Sequence, residues 1–181
     1  MADGKVILEI VTPQGSQIRE EVDDVTAPSV SGEFGVLPGH LPLLAALRTG
    51  IVTYHKGGEE KKLAVADGFV EVKDDRALLL TDKVTARDGI DPVKVRLELK
   101  EVDDILDHYT GTPGSPEWQE LVAREVWAAT QLELYGDPPP ATQRPFEEFG
   151  PPAPPEEDEV DMPEPENDRE ASVEGRPVVK H

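Results

Sequence analysis

Two dipeptides constrain this chain more than any other feature: Gly57-Gly58 and Asp74-Asp75, each set between two short apolar, β-branched runs. Ile51 to His55 and Lys61 to Val65 flank the glycines, and Gly68 to Lys73 and Arg76 to Thr81 flank the aspartates. A glycine pair supplies the positive φ that a two-residue hairpin turn needs, and paired aspartates are a second turn signal. Lys5 to Thr12 (KVILEIVT) reads as a further strand, ended by Pro13 and by Gly15 in a turn. Short strands at this spacing predict an antiparallel sandwich or barrel rather than βαβ units.

Beyond residue 91 the signals turn helical. Asp91-Pro92 is an N-cap followed by proline at the first helical position. Val95, Leu99, Val102, Leu106 and Tyr109 then recur in steps of four and three, one face of a helix. Val93, Val95, Leu97 and Leu99 also alternate, a pattern that taken alone would read as strand. After a polar break from Thr110 to Ser115, Ser115-Pro116 repeats the capped start, and Trp118, Val122, Val126, Ala129 and Leu132 make a second stripe. Gly136 and Pro138 end it. Two amphipathic helices with a short connection predict an antiparallel hairpin.

The remainder has a different composition. Residues 137–181 hold 11 of the 18 prolines, carry a net charge of −9 and contain only Phe146 and Phe149 as aromatics. Runs such as Pro151-Pro152-Ala153-Pro154-Pro155 and Glu156-Glu157-Asp158-Glu159 bury too little to offset about 1–2 kcal/mol of chain entropy per residue. The expected organisation is therefore a β domain over 1–91, a helical hairpin over 92–136 and a disordered acidic tail over 137–181.

Charge and composition exclude several functions. A net charge of −20 disfavours nucleic acid, whose phosphates demand clustered Lys and Arg, and equally disfavours an anionic lipid surface. Zero cysteines remove disulfides and thiolate chemistry. No secretory signal and no apolar run near the roughly 20 residues of a membrane span is visible, so a soluble cytosolic chain is expected. The sequence contains no Walker loop and no G-x-S-x-G elbow. His40, His55, His108 and His181 are scattered without ligand spacing, so neither a metal nor a cofactor is expected, and His55 reads as an ordinary polar loop residue.

One segment stands apart: Ser31 to Gly50, SGEFGVLPGHLPLLAALRTG. Gly32, Gly35, Pro38, Gly39 and Pro42 crowd around Glu33, Phe34 and His40, and this density fixes a backbone path. The segment reads either as a tight connection between sheets or as a rigid contact loop.

GEFGVLPGHLPLLAALRTG, followed by DGFVEV (Asp67 to Val72), resembles the ε subunit of bacterial F-type ATP synthases, the counterpart of mitochondrial δ. The resemblance covers residues 5–91 by sequence and 92–136 by architecture. It implies a ten-stranded antiparallel β-sandwich followed by a helical hairpin. It implies a non-catalytic rotor subunit in the central stalk that joins the γ subunit to the membrane c ring, with regulation of ATP hydrolysis as a further role. It also implies a peripheral place on the cytoplasmic face of the bacterial plasma membrane, held only through the complex, and further contacts to the α and β subunits through the hairpin. The family's ring-facing loop matches Glu33 and its neighbours, and its Pro-Gly-His step near γ matches His40. Partner contacts are therefore expected at Glu33, Phe34, Gly35, Pro38, Gly39, His40 and Pro42.

Departures from the family's patterns bear on regulation. Some bacterial relatives bind ATP through an Ile/Leu-Asp-x-x-Arg-Ala pattern; the aligned stretch here is Ile90-Asp91-Pro92-Val93-Lys94-Val95. Lysine lacks the planar fork of arginine, so no nucleotide site is expected and Asp91 reads as a helix cap. The second helix carries Arg124 as its one cation against Glu117, Glu120, Glu125 and Glu133. That balance opposes insertion of the hairpin beside an acidic loop of the α/β ring. The competing reading is a free-standing β-sandwich module binding carbohydrate or peptide. A chain only 5% aromatic, with Phe34, Tyr54 and Phe69 alone in the first 91 residues, offers little for stacking on a sugar.

Overall fold

In the computed structural model, residues 4–139 are described; the predicted tail lies outside the described residues from 140 onward. Ten strands come first: β1 (Val6–Thr12), β2 (Gly15–Val22), β3 (Asp24–Ser29), β4 (Gly32–Val36) and β5 (Leu43–Leu47), then β6 (Gly50–Lys56), β7 (Glu59–Val65), β8 (Gly68–Lys73), β9 (Arg76–Thr81) and β10 (Val84–Ala86). A short 3-10 turn, Arg87–Gly89, leads to helices α1 (Pro92–Asp107) and α2 (Pro116–Tyr135).

Both turn dipeptides do what their chemistry requires. Gly57 and Gly58 take φ of 63° and 85°, and Asp74 and Asp75 take 51° and 57°, the paired left-handed values of a type I′ hairpin turn. They close β6–β7 and β8–β9. The hydrogen-bonded path runs β10-β7-β6-β3-β5-β8-β9-β1-β2, with β4 attached to β3. Strands distant on that path, β2 with β6 and β1 with β3, also touch, so the sheet closes over a shared interior. Alternation fills it: Val6, Leu8 and Ile10 of β1 meet Val52, Val70, Val72 and Leu79, all buried. One ladder departs from the antiparallel rule. β1 lies parallel to β9, Ile7 beside Arg76 through Val11 beside Leu80.

The helices start where their caps stand. Asp91 Oδ1 accepts from the amides of Val93 and Lys94 at 3.1 and 3.2 Å, and Ser115 Oγ accepts from Trp118 at 3.3 Å. Gly136, at φ 100°, ends α2, and the Asp137 amide donates back to the Leu132 carbonyl at 2.9 Å, a Schellman closure. α1 buries Val95, Leu99, Val102 and Leu106 as its periodicity predicts, leaving Val93 and Leu97 outward; Tyr109 falls just past the helix end. α2 differs from expectation: Val126 and Ala129 are only half-buried, whereas Glu125, Ala128 and Thr130 are buried with Val122 and Leu132. The reason is geometric. α2 packs on α1 and on β6 and β7 at once, so one stripe cannot serve both contacts. Ala64, Ile90, Leu99, Ala128 and Leu132 form the resulting second core.

Candidate partner-binding site

The expected contact segment is two separate features. Val30 and Ser31 form the tip of the β3–β4 hairpin, and Gly32, at φ 118°, opens β4 opposite Ser29, whose Oγ donates to the Gly32 carbonyl at 2.6 Å. Glu33 stands exposed beside that tip. Strand β4 then intervenes, so the sequence reading of one continuous loop gives way to a strand with functional candidates at opposite ends. Five residues at about 3.3 Å each set those ends roughly 15 Å apart. Within the strand, Gly35 is exposed while Phe34 leans against the main core.

At the far end lies Leu37-Pro38-Gly39-His40. The His40 amide donates to the Leu37 carbonyl at 3.1 Å, and Gly39 has φ 80°. Proline second and a glycine near +80° third define a type II β-turn. The His40 imidazole donates from Nδ1 to the Leu41 carbonyl at 2.7 Å, which holds the ring against its own backbone. Leu37 and Leu41 flank the turn with 61% and 79% of their surface exposed, and Pro42 is exposed after them. The structure thus groups Pro38, Gly39, His40 and Pro42, and does not bring Glu33 to them.

A larger apolar surface was not among the sequence candidates. On β5, β8, β9 and β1 many of the residues pointing away from the core are also apolar. Leu44 (74% exposed) and Ala46 lie on β5, and Phe69 (57% exposed) pairs laterally with Ala46 on one side and Leu80 on the other. Leu80 is in turn beside Val11 of β1. Glu71 and a Glu9–Arg76 pair, with guanidinium to carboxylate at 2.7 Å, are polar islands on that face. Exposed apolar area of this kind marks a contact surface. The signal was present in the sequence: RALLLT and VILEIV are apolar at odd and even positions alike, as strands covered on both faces are.

Gly68 explains why a glycine opens the GFVEV motif. A Cβ there would overlap the Leu80 carbonyl oxygen, so only glycine lets β8 begin this close to β9. His55 lies within strand β6, between Asp24 and Glu60 of its neighbours, and is not the solitary loop residue the sequence predicts. It meets Asp24 Oδ1 at 2.9 Å, and that hydrogen bond, helped by the charges of Asp24, Glu60 and Asp23, holds its pKa above the ordinary value. Asp23 is held below the ordinary carboxylate value, chiefly by its hydrogen bond from Lys5. Among the described residues, no group of three or more His, Asp or Glu side chains is placed to hold a metal ion. Nor is any described helix long and apolar enough to cross a membrane.

Comparison with known proteins places the chain. Residues 5–87 match the family described as ATP synthase, Delta/Epsilon chain, beta-sandwich domain. ATP synthase epsilon chain 2 of Syntrophotalea carbinolica is 38% identical over 132 residues, covering 73% of this chain and 94% of the relative. The ATP synthase epsilon chain of Trichlorobacter lovleyi is 41% identical over 106 residues, 59% of this chain and 77% of its own length. The fold is similar to a chain in the Euglena gracilis mitochondrial ATP synthase assembly of OSCP, F1 and c-ring, with a TM-score of 0.54 at 22% identity over 76% of this chain and 83% of that one. This chain belongs to the ATP synthase epsilon chain family.

Proposed function

We propose that the chain is a non-catalytic rotor subunit of the proton-translocating F-type ATP synthase. In this reading it sits in the central stalk, couples the γ subunit to the c ring, and reaches the membrane only through that complex. The epsilon-chain relatives support the assignment, and a Euglena gracilis assembly containing F1 and the c-ring supplies a similar fold. The single observation that carries it within this molecule is the unpartnered apolar face of Leu44, Ala46, Phe69 and Leu80. Leu44, Phe69 and Leu80 are already partly covered in the free chain, so burying the rest of each contributes about 1–2 kcal/mol, which favours holding a partner through contact without chemistry in this subunit. The turn at Pro38, Gly39, His40 and Pro42 is a second contact, and Glu33, with Phe34 and Gly35 behind it, a third at the opposite end of β4. In the same reading residues 1–91 form the gripping domain, 92–136 a hairpin that stays folded on it, and 137–181 an acidic appendage.

The test is reconstitution with γ and the c ring. Phe69→Asp combined with Leu44→Asp is expected to weaken assembly by more than about tenfold while far-ultraviolet dichroism of the free chain stays unchanged. Normal assembly of that soluble variant would refute the face as the partner site.

A further inference from the structure

The central peptide of the type II turn at Leu37–His40, between Pro38 and Gly39, makes no hydrogen bond within the turn. In such a turn the amide of the third residue belongs to the central peptide, and it points away from the chain reversal. Here that group is the Gly39 N–H, and its acceptor comes from another hairpin: Asp75 Oδ1, at 2.5 Å and 36 residues away. Asp75 is itself firmly placed. It occupies the second left-handed position of the β8–β9 turn at φ 57°, and its carbonyl accepts from the Ile7 amide at 2.8 Å. The other side of the turn is also crowded, since a Cβ on Gly4 would strike the Pro38 ring.

Orientation of the central peptide is what separates type II from type I turns; rotating that peptide by about 180° interconverts them. A carboxylate fixed beneath the Gly39 N–H favours one of the two, because a charged acceptor makes a stronger hydrogen bond than water or a neutral group. We propose that Asp75 is the positioning residue of the Leu37–Leu41 contact turn. Its carboxylate selects the type II orientation, and thereby fixes the outward directions of Leu37, His40 and Leu41 for an apolar partner surface. This rests on the reading of that turn as a contact with the rotor. The gain is preorganisation: a turn already in its bound form loses less freedom when the partner arrives. It also makes the β8–β9 hairpin, whose outer face carries Phe69 and Leu80, and the turn a single contact unit with one relative geometry.

Three full-length variants test this. Asp75→Gly keeps the positive φ and removes the acceptor; Asp75→Asn keeps both an acceptor oxygen and tolerance of that backbone. Leu41→Asp challenges the contact reading directly. Exchange of the Gly39 amide, measured by NMR on the free chain, should accelerate about tenfold in Asp75→Gly and only about threefold in Asp75→Asn, whose neutral oxygen is the weaker acceptor. Assembly with γ and the c ring should weaken about fivefold and recover in the same order. Unchanged Gly39 exchange in Asp75→Gly overturns the tether. Faster exchange with normal assembly, where Leu41→Asp weakens assembly, overturns the positioning role. If Leu41→Asp also assembles normally, the turn is not a contact, and the proposal falls with that reading.

Discussion

Replacing Leu132 by Ala should release the helices and leave the sandwich intact. Leu132 is 2% exposed and packs with Ala64 and Ile90 from the sandwich side, Leu99 of α1, and Ala128 and Leu134 of α2. None of the residues filling the sandwich interior comes from either helix. Truncating a leucine at such a site costs about 3 kcal/mol, the transfer term plus the cavity left behind. That corresponds to roughly a hundredfold in the opening equilibrium. Hydrogen exchange resolved by segment is the assay. Amides of α1 and α2 should lose about two orders of magnitude of protection, while those of β1, β8 and β9 keep theirs. The companion change Leu79→Ala, inside the sandwich, should lower protection everywhere, because the helices dock on a surface that the sandwich provides. Equal loss of protection in β8 and α2 on Leu132→Ala would show one cooperative unit and refute the argument from separate cores.

Other outcomes follow from individual contacts. Gly68→Ala should lower the thermal midpoint of the free chain by several degrees or prevent folding, since its Cβ meets backbone and not a side chain that can swing away; an unchanged melt would refute the close approach. His55 is held above its ordinary pKa by Asp24, so its pairing stabilises the fold fully below pH 6.5 and fades as pH rises through the elevated value. Urea midpoints at pH 5.5 and 8 should therefore differ more in wild type than in His55→Gln, and an equal difference would remove the effect. Calorimetry should detect no ATP binding in the low-millimolar range or tighter, because Asp91 already spends its carboxylate on the α1 cap and Lys94 lacks a guanidinium fork. In the assembled enzyme, deleting residues 92–181 should raise ATP hydrolysis little; a several-fold rise would show that the helices inhibit despite their acidic surface.

The hairpins and helices were legible because their signals are local. Gly57-Gly58 and Asp74-Asp75 set backbone angles by themselves, and Asp91-Pro92 and Ser115-Pro116 each combine a side-chain acceptor with a residue that lacks an amide proton. β2 was not legible: GSQIREEV buries only Val22 and is held largely by its ladder to β1. β4 was missed for a different reason. Gly32 and Gly35 suggest a loop, yet Gly32 opens the strand opposite Ser29 at a positive φ and Gly35 is an ordinary exposed strand position opposite Thr26. Of the contact candidates, the turn at Pro38-Gly39 was visible as a dipeptide. The outer apolar face was encoded just as plainly in RALLLT, but runs apolar at every position say that two faces are covered without saying by what. Its assembly needs β5 beside β8 and β9 beside β1, pairings that only the closed sheet supplies.

The parallel ladder between β1 and β9 has a consequence for synthesis. Glu9 and Arg76, joined across it, are 67 residues apart in the chain. A ribosome adding about 5–20 residues per second therefore exposes β1 for several seconds before β9 exists. During that interval β1 can pair only with β2, and its other edge, VILEIVT, is an open template for any passing strand. Closing the sheet is then a late, non-local event, which slows folding and lengthens exposure to aggregation. Overproduction at low temperature, or with a holdase that recognises extended apolar segments, should raise the soluble yield more than any change that stabilises the finished fold.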